Sequence, residues 1–191
     1  MNLSVVEDNS TAFTNAECCL QRASNLKSLG SRKVLELCVG PSLATLESAY
    51  HQFGISVTGN DIDKRWKTFY EEGNWIIGDA LSISYSGFDT IVFAPPLSKG
   101  CTGKREDSLQ IEQVTPSYYE FLKRMQTENE DLLGVLVLPG RSISTYFDRV
   151  QFFKLMSKMY SLKLNFKHER LTDGKITKYY DVYFSRGDFN G

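Results

Sequence analysis

The sequence predicts an α/β fold in which a doubly wound, mostly parallel sheet ends in an antiparallel hairpin. Five short apolar runs alternate with segments of helical spacing, a pattern typical of a parallel sheet covered by helices on both faces. Near the C-terminus, the tight-turn signal Asp173-Gly174 separates two further β-rich runs. The 191 residues contain no repeat and no linker, and this length suits one domain with a substantial core.

The first half of the chain supplies four of the predicted strands. We expect a flexible, polar arm over residues 1–13 and a single domain over residues 14–191. Apolar residues at spacings of three and four mark the helices, and glycines stand where several of them end. The predicted helices are Asn15 to Leu29, Leu43 to Phe53 and about Lys64 to Glu72, and the predicted strands are Val34 to Val39, Ile55 to Ile62, Asn74 to Ile77 and Phe88 to Phe93.

The second half begins with the longest irregular stretch, Leu97 to Thr115. Loops longer than about 12–15 residues are usually functional or disordered. A helix is then expected from Pro116 to about Gln126, a strand from Leu132 to Leu138, a helix from Thr145 to Tyr160, and β-runs over Leu162 to Phe166 and Ile176 to Phe184.

Composition excludes several classes of protein. The four cysteines have no metal-ligand spacing and there are only two histidines, so no metal site is expected. No apolar run approaches the ~20 residues that cross a membrane, and a reducing cytoplasm is the expected compartment. The net charge of -1 gives no general basic field, so binding to nucleic acid would need a local patch.

The first strand ends in the segment Glu36 to Ser42, which contains an acid, a glycine and small residues. With the later strand ends, it resembles the class I S-adenosylmethionine-dependent methyltransferases. That family usually has an acid, one residue and then glycines at alternating positions. Here the acid and the middle glycine, Gly40, are kept, while Cys38 and Ser42 stand where glycine is common. The resemblance runs from about Thr14 to the C-terminus and implies a Rossmann-like domain with S-adenosylmethionine as cofactor.

The resemblance implies that this first segment holds the amino-acid end of the cofactor. Glu36 is expected to contact the cationic end directly or through water, and Gly40 allows the turn to lie against it. The pair Phe13-Thr14 resembles the segment that precedes the cofactor fold in amino-methyltransferases. The cofactor-binding residues assigned in this way are Thr14, Glu36, Cys38, Gly40, Pro41 and Ser42.

The next two strand ends are expected to hold the adenosine. The family's Gly-x-Asp pattern falls on Asp61, whose carboxylate would accept from the ribose hydroxyls, with Ile62 beside it. Asp79 would accept from the exocyclic amine of adenine, and the Ala80 N–H would donate to the ring. Each feature also has a simpler interpretation, because an acid at a strand end often only caps a helix or turn.

The strand before Ala94-Pro95-Pro96-Leu97 resembles that of methyltransferases that modify amino groups of nucleobases. Their pattern is a polar residue, two prolines and an aromatic residue that stacks on the target base. Here Ala94 has no side-chain acceptor and Leu97 has no aromatic face, so the Pro95 carbonyl is the remaining candidate acceptor. These four residues are the predicted catalytic segment; the alternative is a strand that two prolines simply end.

Basic residues near this segment are candidates for contact with phosphate: Lys99, Lys104, Arg105 and Arg141. A solvated surface loop is the alternative. The leading hypothesis is methylation of a nucleobase of RNA or DNA. Its expected partners are nucleic acid and a separate recognition subunit. No interaction with a membrane is expected.

Three other functions stay open. A small-molecule or protein methyltransferase and a non-catalytic cofactor-binding subunit are the main alternatives. A nicotinamide dehydrogenase ranks lower, because the turn after Gly40 lacks the Gly-x-Gly-x-x-Gly pattern.

Overall fold

The computed structural model describes residues 16–69, 74–96, 113–139, 146–172 and 175–186. Several predictions lie outside these ranges. They concern the N-terminal arm, the hairpin turn Asp173-Gly174 and the site residues Thr14, Leu97, Lys99, Lys104, Arg105 and Arg141.

The described residues form a seven-stranded sheet and four α-helices. The strands are β1 Lys33–Leu37, β2 Ser56–Asp61, β3 Trp75–Ile77, β4 Thr90–Phe93, β5 Leu133–Pro139, β6 Ser161–Thr172 and β7 Lys175–Ser185. The helices are α1 Ala16–Ser28, α2 Leu43–His51, α3 Tyr118–Met125 and α4 Tyr146–Met159.

Two elements differ from the prediction. The described part of the helix expected from Lys64 is a 3-10 turn, Lys64–Phe69, in a segment whose aromatic and β-branched residues disfavour an α-helix. Strand β6 extends beyond Phe166 to Thr172, because it stays paired with β7 along this whole stretch.

The strand order is β3-β2-β1-β4-β5-β7-β6. Strands β1 to β5 run parallel, and β7 lies antiparallel between β5 and β6. The predicted doubly wound sheet with an antiparallel hairpin is therefore confirmed. The order reverses between β1 and β4, and in such sheets ligands bind outside the carboxyl ends of the strands at this point.

The register brings the strand ends together at that edge. Leu37 at the end of β1 pairs with Asn60 of β2 on one side and with Phe93 of β4 on the other. Asp61, the next residue of β2, pairs with Ile77 at the end of β3. The first residues beyond four neighbouring strands therefore lie along one line.

The sheet has an apolar core on each face. Helices α1 and α2 cover one face, and the core there includes Leu26, Val34, Leu43, Tyr50, Val92 and Val135. Helices α3 and α4 cover the other face over Leu35, Leu37, Ile91, Phe93, Phe121 and Phe184. Burial on both faces explains why the central strands read as nearly continuous apolar runs.

A charged network lies inside the first core. Arg22 of α1 is 2% exposed and donates to both carboxylate oxygens of Asp181 in β7, with its Nε 2.7 Å from Oδ2 and its Nη2 3.1 Å from Oδ1. Its Nη1 lies 3.3 Å from Oε1 of Glu36 in β1. The Tyr50 hydroxyl of α2 donates to the same oxygen. One guanidinium thus connects α1 to a parallel strand and to the last strand of the chain.

Gly134 of β5 leaves room for the ring of Phe184, and a Cβ at this position would overlap the Cζ atom of that ring. The ring cannot move aside easily, because it is fully buried against Phe121 and Tyr160 with centroid distances of 6.3 and 4.8 Å. We expect Gly134→Ala to lower the free energy of unfolding by about 1–3 kcal/mol, the usual cost of overpacking. Urea unfolding measures this loss.

A smaller side chain at position 184 supplies the control for that prediction. In a double-mutant cycle, Phe184→Leu should remove much of the additional cost of Gly134→Ala, because the clash partner is gone. Strictly additive losses would show that the predicted clash does not limit this position.

Candidate functional site

The turn after β1 has an unusual backbone. Cys38 adopts a left-handed conformation with φ +58°, and Gly40 follows with φ +52°. Apart from chain neighbours, no described atom lies within 4 Å of the place that a Cβ would take at Gly40. The 3-10 turn Gly40–Ser42 then leads into α2. Among the described residues, the Cβ side of Gly40 therefore faces open space, as an approaching ligand would require.

Asp61 joins this turn to the end of β2. Its Oδ2 accepts from the Gly40 N–H at 2.9 Å, and its Oδ1 accepts from the Asp63 N–H at 2.9 Å. Partial burial raises the pKa of Asp61, and the two backbone N–H groups oppose the rise. Both carboxylate oxygens are thus fixed in position at the edge of the sheet, each with a further lone pair.

Two apolar side chains flank Asp61. Ile62 is 74% exposed and Ile77, which pairs with Asp61 across β2 and β3, is 47% exposed. An exposed pair beside a fixed carboxylate offers both an apolar surface and a hydrogen-bond acceptor. This is the combination that a purine nucleoside needs.

Asp79 caps the turn that follows β3. Its Oδ1 accepts from the Leu81 N–H at 3.0 Å and its Oδ2 from the Ser82 hydroxyl at 2.9 Å, while the residue is exposed. Ala80 is buried, and its carbonyl accepts from the Tyr85 hydroxyl at 2.8 Å. Asp79 therefore does cap this turn. Contact of Asp79 and Ala80 with adenine stays a prediction.

The structure corrects the expectation for Glu36. Its side chain is 1% exposed, so it presents no surface to a ligand at the sheet edge. Its Oε1 accepts from Arg22 and Tyr50, and burial raises the pKa of the carboxyl while these two partners oppose the rise. Glu36 lies in the interior because it pairs with a cation that the sequence does not place near it. It joins β1 to α1 and α2 within the core.

Ser42 is also interior. It is 4% exposed, immediately precedes α2, and donates its backbone N–H to the Val39 carbonyl at 3.1 Å. Its predicted place among the cofactor-binding residues stays a prediction, and its side chain has little exposed surface for a ligand. Cys38 is half-buried, and Pro41 lies within the 3-10 turn.

Strand β4 ends at Phe93, as predicted, and the chain leaves the sheet at Ala94, Pro95 and Pro96. The Ala94 N–H still donates to the Leu37 carbonyl at 3.3 Å, so this segment begins beside the turn after β1. Phe93 stacks on Phe121 of α3 with a centroid distance of 4.3 Å. The predicted catalytic segment thus starts at the same edge as Asp61, and its chemistry stays a prediction.

Two residues that hold this edge were missed. Asn60 donates its side-chain amide to the carbonyls of Ile76 and Gly78, at 3.0 and 2.9 Å. Arg124 of α3 donates to the carbonyls of Leu81 and Ile83. Asn60 lies inside the Gly-x-Asp pattern and could have been noticed there, whereas nothing in the sequence marks Arg124.

Within the described ranges, no group of three His, Cys, Asp or Glu residues lies close enough to hold a metal ion. None of the helices described there is both long and apolar enough to span a bilayer.

Comparison by sequence gives no relatives: no protein-family model matches the chain, and no curated protein matches it significantly. Solved structures do match. A protein from Pyrococcus horikoshii, proposed to be an RNA methyltransferase, has a TM-score of 0.55 at 17% identity over 92% of this chain and 83% of its own.

Two other solved structures share the fold. A proposed class I S-adenosylmethionine-dependent methyltransferase from Listeria monocytogenes has a TM-score of 0.65 at 13% identity over 97% of this chain, which spans 64% of that protein. Magnesium protoporphyrin IX methyltransferase from Synechocystis, solved with bound S-adenosylmethionine, has a TM-score of 0.55 at 13% identity over 89% of this chain and 78% of its own. The chain therefore has the Rossmann-like fold of the class I S-adenosylmethionine-dependent methyltransferases.

Proposed function

We propose that this protein binds S-adenosylmethionine at the carboxyl edge of its sheet and transfers the methyl group to a nucleobase of RNA or DNA. The observation that carries the proposal is the line of groups formed by Gly40, Asp61, Ile62 and Asp79. An open backbone turn, a fixed carboxylate, an exposed apolar side chain and a second carboxylate follow one another there.

These groups fit an adenosyl ligand. The Asp61 carboxylate is held by two backbone N–H groups and keeps lone pairs for the ribose hydroxyls. Ile62 and Ile77 offer apolar surface to the purine, and Asp79 offers an acceptor to its exocyclic amine. The open space at Gly40 suits the amino-acid end. When bound, the cofactor would supply a methyl group on a positively charged sulfur.

The proposed acceptor site is the segment after β4. Its backbone begins one hydrogen bond from the end of β1, where the cofactor turn starts. A carbonyl at Pro95 can accept a proton from an amine and so direct the nitrogen lone pair towards the methyl group. Alignment supplies much of the rate in such a displacement, so few acid or base groups are needed. A structural neighbour proposed to be an RNA methyltransferase supports nucleic acid as the substrate.

One observation favours a second candidate, a cofactor-binding subunit without its own catalysis. Ala94 stands at the position where a polar side chain would help to hold the target amine, and it packs against the core of the α1 face. Such a subunit would bind S-adenosylmethionine and act with a partner that supplies the acceptor site.

Calorimetric titration with S-adenosylmethionine tests the cofactor, and release of S-adenosylhomocysteine with RNA, DNA, protein and small-molecule pools tests the reaction. We expect binding, and turnover with a nucleic-acid pool. Binding with no turnover on any pool, alone or with a copurified partner, would favour the non-catalytic subunit. Turnover on protein or a small molecule would overturn the nucleobase assignment, and no binding would overturn the cofactor site.

A further inference from the structure

We propose that Arg124 is a positioning residue that sets how selectively the turn after β3 recognises adenine. The inference rests on the proposed cofactor function, because it concerns the same site. Arg124 lies on α3, on the α3–α4 face of the sheet, and would itself touch neither the cofactor nor the substrate.

Arg124 holds the turn by its backbone. The guanidinium donates from Nη1 to the Leu81 carbonyl and from Nη2 to the Ile83 carbonyl, so that it bridges two peptide groups. Its carbon lies 3.9 Å from the centroid of the Tyr85 ring, and the Tyr85 hydroxyl donates to the Ala80 carbonyl. The Nε is 3.3 Å from Oε1 of Glu128, one helical turn away. The fork geometry and the stacking both require arginine rather than lysine.

Leu81 links Arg124 to the proposed adenine acceptor. Its carbonyl accepts from the guanidinium, and its N–H donates to Oδ1 of Asp79 at 3.0 Å. The Leu81 N–H and the Ser82 hydroxyl together fix the direction of the Asp79 carboxylate, and Leu81 is the one whose carbonyl Arg124 holds. Without the guanidinium, the turn loses both of these hydrogen bonds from α3.

The other end of the turn is held independently. Asn60 donates to the carbonyls of Ile76 and Gly78, just before Asp79. The side chains of Asn60 in β2 and Arg124 in α3 thus donate hydrogen bonds to the backbone before and after Asp79. Asp79 could cap the turn without these hydrogen bonds from Asn60 and Arg124. To distinguish an amine from a carbonyl on a purine, however, its carboxylate must be held in one orientation.

The test compares two ligands that differ at the purine 6-position, where S-adenosylhomocysteine has an amine and S-inosylhomocysteine a carbonyl. We expect the wild-type protein to prefer the first in calorimetry. Arg124→Met should reduce that preference at least about fivefold, the equivalent of roughly one hydrogen bond. A ratio of two affinities measured on one variant is insensitive to the fraction of protein that is folded.

Arg186→Met is the matched control. Arg186 also donates to two backbone carbonyls, those of Gln126 and Glu128 just beyond α3, at 2.7 and 2.6 Å. It should keep the wild-type preference. Arg124→Lys, which keeps the charge but not the fork, should give a reduced preference even if Arg124→Met does not fold.

The outcomes separate this inference from the proposed function. A wild-type protein that binds neither ligand would overturn both. A wild-type protein that binds both equally, or Arg124 variants that keep the full preference, would overturn the role of Arg124 and leave the cofactor site standing.

Discussion

Replacement of Arg22 by methionine should lower the free energy of unfolding by about 3–5 kcal/mol, the range found when one partner of a buried ion pair is removed. The guanidinium is 2% exposed and serves both Asp181 and Glu36, which are themselves buried. Methionine fills a similar volume but leaves two carboxyl groups without their cation. Urea unfolding of the two proteins at neutral pH measures the difference.

The same substitution at an exposed ion pair is the control. Arg65 is 80% exposed in its pair with Asp63, so Arg65→Met should change stability far less than Arg22→Met does. Adding Asp181→Asn to Arg22→Met should recover part of the loss, because the buried charge is removed. A loss at Arg22 no larger than at Arg65 would contradict the network as described.

The second large effect concerns the cofactor. If the Asp61 carboxylate accepts from the ribose, Asp61→Ala should weaken S-adenosylmethionine binding by ~1–3 kcal/mol, the usual result of leaving polar partners unmatched. The substitution also removes Asp61 Oδ2, the acceptor to which the Gly40 N–H donates. Calorimetry measures the dissociation constant.

Asp63→Ala is a close control for this prediction, two residues further along the chain. The Asp63 carboxylate pairs with Arg65, and that guanidinium holds the pKa of Asp63 below its usual value. We expect little change in cofactor affinity there. An unchanged dissociation constant for Asp61→Ala would refute the assignment of the ribose contact.

The fold could be predicted from the sequence because its signals are local. Alternating apolar runs and helical spacing locate the strands and helices, and the turn signal near the C-terminus predicts the antiparallel pair. The same reasoning places Asp61 and the segment after Phe93 at one edge, because the ends of parallel strands meet there. Periodicity alone did not show how far β6 extends beyond Phe166.

The errors at the site come from contacts between distant parts of the chain. In the sequence, Glu36 resembles a ligand-binding residue because it lies near the end of a strand. In the structure, its carboxylate is buried and accepts hydrogen bonds from Arg22 and Tyr50. Asp181 lies 159 residues after its partner Arg22, and local sequence patterns do not predict contacts over such a separation. The hydrogen bond from Arg124 to the Leu81 carbonyl likewise joins residues 43 positions apart.

The ion pair between Arg22 and Asp181 has a consequence for biosynthesis. A ribosome makes the first helix long before the last strand, so the nascent chain contains this cation without its bidentate anion. The strand that carries Asp181 also fills the place between β5 and β6. The half of the protein that contains the candidate site thus reaches its final stability only after β7 has left the exit tunnel.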